Sequence, residues 1–148
     1  MRNQMPNRMQ DDPFNLRRFV EAQQPVIELV YSELRAGRKR RHWIWFIFPQ
    51  LKGLGHSANS EYFGIGSLAE ATAYLDHQLL GPRLIECTNL VNAVKSRSAE
   101  DIFGSLDALK FRSSMTLFAR ATADNQLFTE ALGKYFSGEF DPLTLALL

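Results

Sequence analysis

The chain is nearly free of cysteine: Cys87 is the only one among 148 residues. A lone thiol closes no internal disulfide and builds no thiolate metal cage. Its neighbours Ile85, Leu90 and Val91 mark it as an inert core group. Long apolar runs are missing too. The aromatic block WIWFIF at 43–48 is six residues, against the roughly 20 that a membrane helix needs. MRNQMPNRMQD at the start has no apolar core of a secretory signal. The three histidines, His42, His56 and His77, lack metal-ligand spacing. There is no Gly-x-Ser-x-Gly elbow, and Gly53-Leu54-Gly55 follows Pro49 rather than a strand, so it reads as a loop. These absences lead us to expect a cytoplasmic protein with no metal, no cofactor and no membrane partner. Residues 1–11 are expected to form a disordered tail.

Strand signals are equally scarce. No segment alternates convincingly, and no Asn-Gly hairpin occurs. Helical signals fill the chain instead. Asp12-Pro13 reads as a cap with proline in the first turn, where a missing N–H costs nothing. Leu16, Phe19 and Val20, then Ile27, Val30, Tyr31 and Leu34, recur at helical spacing with Pro25 between them. Gly37 is a natural stop. GLGHSANS at 53–60 reads as a loop. Ser67 and Glu70 form a capping-box pattern, and Gly81-Pro82 restarts the chain. Leu84, Ile85, Cys87, Thr88, Val91 and Val94 then predict a mostly buried helix. Ser98 opens a short helix ending near Gly104, and Ser105 and Asp124 are read as the next two caps. Asp141-Pro142 repeats the opening signal ahead of a short docking helix. WIWFIF, with no strand to pair with, is expected to be a short buried helix or turn. The predicted architecture is a single compact all-α domain over residues 12–148.

Charge is spread unevenly. Arg35, Arg38, Lys39, Arg40 and Arg41 are five of seventeen basic residues, leaving twelve against sixteen acidic groups elsewhere. A single positive stretch on a mildly acidic chain favours local anion attraction and argues against a nucleic-acid surface. Just beyond it, Trp43 and Trp45 offer an aromatic platform beside guanidinium groups that bind phosphate bidentately. The opposing reading is that the tryptophans are core anchors and the arginines a solvated helix end. A second cluster lies in SLDALKFRSSMTLF. On a helix, Asp107, Lys110 and Ser114 share one stripe, with Ser113 beside it and Arg112 pointing elsewhere. Lys110 would clamp an anion, with Asp107 orienting it or acting as a base. Leu106, Leu109, Phe111, Met115, Leu117 and Phe118 cover most of the remaining helix surface. A polar stripe on such a helix needs partners.

Four stretches, DPFNLRRFVEAQ, ELRAGRKRRHWIWFIFPQLKGLG, LGPRLIECT and EDIFGSLDALKFRSSMTLF, together resemble the bacterial family known as domain of unknown function 1810. The resemblance runs from about Asp12 to Leu148. It implies a single multihelical domain with a short buried helix near its centre, at about residues 43–48, and no established chemistry. Genomes often attach the label calpastatin to such proteins. This compact, apolar-rich sequence lacks the Thr-Ile-Pro-Pro motif of that inhibitor. A shorter likeness joins NSEYF at 59–63, and LKF at 109–111, to the NADAR family, which is associated with ADP-ribose N-glycosidic chemistry. That likeness implies a role for Glu61 in stabilising an oxocarbenium-like sugar.

Three functions follow as expectations. The first is binding of a small anionic, nucleotide-like ligand by Arg38, Arg41, His42, Trp43, Trp45, Lys110, Ser113 and Ser114. The second is glycosidic catalysis, with Glu61 or Asp107 as the catalytic carboxylate. The third is a protein-interaction module docking an acidic partner on the basic helix end. Oligomeric state is left open by the sequence.

Overall fold

Proline and glycine set the joints of the chain, and local capping chemistry sets where its helices begin. The computed structural model describes residues 11–148, so the expected tail lies outside the described residues apart from Asp11. Helices α1 (Arg17–Gln23) and α2 (Ile27–Arg35) separate at Pro25 as predicted. The Asp12 carboxylate accepts the Leu16 and Arg17 N–H groups at 2.7 and 3.0 Å, ahead of the first full helical turn. Gly37 turns the chain with φ +73°, and a side chain there would meet Val94 at 3.1 Å and Arg97 at 3.3 Å. WIWFIF forms α3 (Ile44–Ile47), a buried single turn.

Several starts differ from the sequence expectation. The stretch 53–60 is not wholly loop, because α4 (Ala58–Phe63) begins inside it, capped by the Ser57 hydroxyl on the Ser60 N–H. Ser67 caps α5 (Leu68–Asp76) through the Glu70 N–H. The Glu70 carboxylate does not reciprocate: it accepts the Gly66 N–H at 2.9 Å and the Arg18 guanidinium at 2.8 Å. Gly81-Pro82 falls within the first turn of α6 (Leu80–Ala93), whose leading N–H groups donate to His77 Nδ1. Ser98 and Asp101 complete a capping box on α7 (Ala99–Phe103). Gly104, with φ +83°, precedes α8 (Ser105–Ala121), and Ser105 is its first residue rather than its side-chain cap. Asn125, not Asp124, flanks α9 (Gln126–Phe136), because its amide reaches back to the Ala119 carbonyl at 2.8 Å. The Asp141 carboxylate caps α10 (Pro142–Leu147).

These ten helices form a compact all-α domain, as predicted; among the described residues the one β-type feature is an isolated parallel bridge, Leu51–Ile65. Helix α8 is the axis, packed by α5, α7, α9, α10 and the short α3. Phe111 at its middle stacks on Phe103 at 4.7 Å and meets the Phe48 edge at 4.9 Å. Phe118, two turns further along the same face, packs on Tyr74 and Phe128. Each such fully buried ring contributes about 2–3 kcal/mol by removal from water. The end of α6 is held by α9: Lys134 donates to the Asn92 and Val94 carbonyls, and the Tyr135 hydroxyl donates to Val91. Three residues expected in the core are outside it. Ile85, Leu106 and Leu109 are 44%, 73% and 58% exposed.

Candidate functional site

The loop after α2 is organised by one buried carboxylate. Glu33 accepts the Arg40 and Arg41 N–H groups, the Arg41 guanidinium at 2.8 Å and the Trp43 indole N–H at 2.8 Å. Burial opposes its ionisation, but those bonds, led by the Arg40 N–H, outweigh burial and hold the carboxyl at about 2. With the backbone turned inward on Glu33, the side chains of Arg38 and His42 lie exposed, and Arg41 is spent on Glu33 while 59% exposed. Trp43 is buried and serves the core.

The next link joins this loop to α8. The Lys39 ammonium, almost wholly buried, pairs with Asp107 at 2.7 Å and lies 5.2 Å from the Trp43 ring centre. Asp107 also faces the Lys110 ammonium at 3.5 Å. Lys110 in turn sits 4.7 Å over the Trp45 ring, a cation–π distance. Two ammonium groups thus share one carboxylate, so Lys110 is only partly neutralised by Asp107 where it meets Trp45.

Trp45 and Lys110 open on a cleft of about 460 Å³. Its polar lining is Gln50, His56, Ser57, Ser60, Ser113 and Asp141, and its apolar lining includes Leu54, Leu106, Leu109 and Leu143. Ser57 and Ser60 hydroxyls lie 3.0 Å apart, and Gly55 leaves room for them: a Cβ there would come within 2.5 Å of Ser60 Oγ. The Ser113 hydroxyl lies 3.1 Å from the Leu109 carbonyl and 3.0 Å from the Asp141 carboxylate, with one proton for the two acceptors, and Asp141 also caps α10 through the Thr144 N–H at 3.1 Å. One wall of the cleft is therefore tied to the terminal helix.

Of the sequence candidates, Trp45, Lys110 and Ser113 line this cleft, and Asp107 stands behind Lys110. Arg38, Arg41, His42 and Trp43 do not line it. Ser114 is fully buried, and its hydroxyl has no partner among the described residues. Glu61 is exposed in a separate depression of about 400 Å³ with Lys52, Arg18 and Glu70. Arg18 there is already saturated by the Phe14, Asn15, Tyr62 and Gly64 carbonyls and by Glu70. Sequence reasoning did not single out Lys39, Gln50, Ser57, Ser60 or Asp141 for the site, and it left His56 as a loop residue. The Ser57-x-x-Ser60 spacing was the one local signal, since a serine three residues ahead of an N–H is a capping pattern. Among the described residues, no three His, Cys, Asp or Glu side chains group as metal ligands, and no helix is long and apolar enough to cross a membrane.

The comparison that places the chain is with the family described as protein of unknown function DUF1810, which matches residues 13–148. The chain belongs to the DUF1810 family. Within solved structures, this DUF1810 chain is similar to the conserved hypothetical protein Rv1873 from Mycobacterium tuberculosis, known from a crystal structure. The TM-score is 0.92 and the identity 63%, over 93% of this chain and 98% of that one. No curated protein matches the chain.

Proposed function

We propose that this DUF1810 protein binds a small anionic ligand with a flat ring, of nucleotide type, in the cleft between Trp45 and α8. The observation that carries this reading is the Lys110 ammonium over the Trp45 ring inside a walled cleft. Stacking on the indole would hold the ring, and Lys110 would meet the anion. Donors from Ser57, Ser60, Gln50 and His56 suit the ligand's polar edge. The rim supports the reading as well. Leu106, Leu143 and Leu109, at 73%, 67% and 58%, are the three most exposed large apolar side chains of the described residues, and all three line this cleft. Apolar surface gathered in this way marks an interaction site rather than chance exposure.

The test is a thermal-shift and calorimetric screen with nucleoside mono- and diphosphates and ADP-ribose. A ligand at about a hundred times its Kd adds roughly 2.7 kcal/mol to stability, which raises the Tm by several degrees in a chain of this size. Lys110→Ala and Trp45→Ala are expected to fold and to lose the shift. No shift across the library with the wild-type protein would overturn the reading. A shift that survives both substitutions but disappears with Glu61→Gln would move the site to the Glu61 depression.

A further inference from the structure

The cleft leaves the most conspicuous motif of the sequence unused. Arg35, Arg38 and Arg40 are exposed, and none has an ion pair or side-chain hydrogen bond among the described residues. In sequence this cluster looks isolated, which argued against a nucleic-acid surface. In space it is not isolated. The left-handed turn at Gly37 lies against the segment after α6, within 3.5 Å of the Arg97 guanidinium nitrogen Nε by the reach of a single added carbon. Arg97 and its near neighbour Lys95 are exposed and equally without ion pairs. The Lys39 N–H also donates to the Ile102 carbonyl at 2.7 Å, so the loop is fastened to α7 as well. Two stretches some sixty residues apart, brought together where Gly37 meets Arg97, thus carry five exposed cations without ion pairs among the described residues. The carboxylates at this loop are already engaged, Glu33 by Arg40, Arg41 and Trp43 and Asp107 by Lys39 and Lys110, and Asp101, close after Arg97 in sequence, is taken up in capping Ser98.

We propose that this face is a docking surface for the phosphodiester backbone of duplex DNA. Guanidinium groups suit phosphate because their fixed fork makes paired charge-assisted bonds. Rigidity favours the proposal, since Glu33 fixes the loop backbone through the Arg40 and Arg41 N–H groups and less side-chain ordering remains to be done on binding. Among the described residues the two cationic segments, 35–42 and 95–98, carry no exposed large apolar side chain, which separates them from a protein-binding surface. Trp43 is buried, and the exposed leucines Leu106, Leu109 and Leu143 are gathered at the cleft. Protein interfaces depend on buried aromatic or aliphatic anchors, whereas backbone contact to duplex DNA needs none. Among the described residues these two segments carry no exposed Phe, Tyr or Trp ring for base stacking, which favours the duplex over a single strand.

The experiment is fluorescence anisotropy of the full chain with a labelled random-sequence duplex, a single strand of equal length, and polyglutamate. Contact with about four phosphates predicts a log–log salt slope of about −3.6, or roughly a hundredfold weakening between 50 and 200 mM salt. Arg97→Ala is the decisive variant because Arg97 lies outside the basic motif: the slope should shallow by about 1. Arg97→Lys should restore it, which separates loss of charge from damage to the fold. No duplex binding at about 20 mM salt, where backbone contacts are strongest, would overturn the proposal. So would polyglutamate binding as tightly as the duplex, or an unchanged slope in Arg97→Ala.

Discussion

The carboxylate of Glu33 gathers four donors from a loop rich in like charges, which otherwise would repel itself outward. Removing it leaves the buried Trp43 indole N–H and two part-buried backbone N–H groups without their acceptor. Glu33→Ala is therefore expected to cost roughly 3 kcal/mol in denaturant unfolding. Arg41→Ala, whose guanidinium is 59% exposed, should cost under about 1 kcal/mol. The same group sets an acid limit. Its folded pKa of about 2 lies below the ordinary 4.5, so its contribution is complete above about pH 4.5 and fades as pH falls toward 2. An unfolding series from pH 6 to 2.5 should show wild-type stability declining in that window and Glu33→Gln declining less. Cys87 gives a second residue-scale test. Burial pushes its thiol up to about 12, so a thiol reagent at pH 8 should label it only as fast as the protein unfolds.

At the scale of elements, glycines predict opposite outcomes for one substitution. Gly104 joins α7 to α8 with φ +83°, and open space surrounds it. Gly104→Ala meets no clash, yet it must hold a left-handed backbone, and should destabilise by about 1 kcal/mol or more. Gly133 sits inside α9 with equally open space and ordinary helical geometry. Gly133→Ala should therefore stabilise by about 0.5–1 kcal/mol. Paired thermal melts decide both signs. Element boundaries also show which signals a sequence carries. The break at Pro25, the helix start at Ser98 and the Asp141-Pro142 cap were legible because such signals act within three or four residues. The Ser67 box was misread because Glu70 is claimed by Arg18, fifty-two positions away. The cleft divided in the same way. Trp45 and Lys110 stood out as chemistry, and the structure brings them together. The exposure of Leu106 and Leu109 was hidden, because apolar spacing predicts burial and cannot say what, if anything, covers that face.

For the whole molecule, the cleft is a composite. Its lining comes from 45–60, from 106–113 and from Asp141 and Leu143, so it exists only when α10 is seated. The seat is specific: Thr144 is fully buried and Asp141 ties Ser113 on α8 to the Thr144 N–H. Deleting residues 141–148 should leave the aromatic core around Phe111 and Phe118 folded with a lower Tm. It should also abolish the nucleotide-dependent thermal shift. Asp141→Asn, which keeps an acceptor, should be milder than Asp141→Ala, a cap loss of about 1 kcal/mol. The division between Trp43 and Trp45 has an optical consequence. They are the chain's two indoles. Trp43 is sealed inside against a carboxylate, while Trp45 is half-exposed beneath an ammonium at the cleft. Their emission should therefore resolve into a blue, quencher-resistant component that reports the integrity of the core and a redder, acrylamide-accessible one that reports occupancy of the cleft.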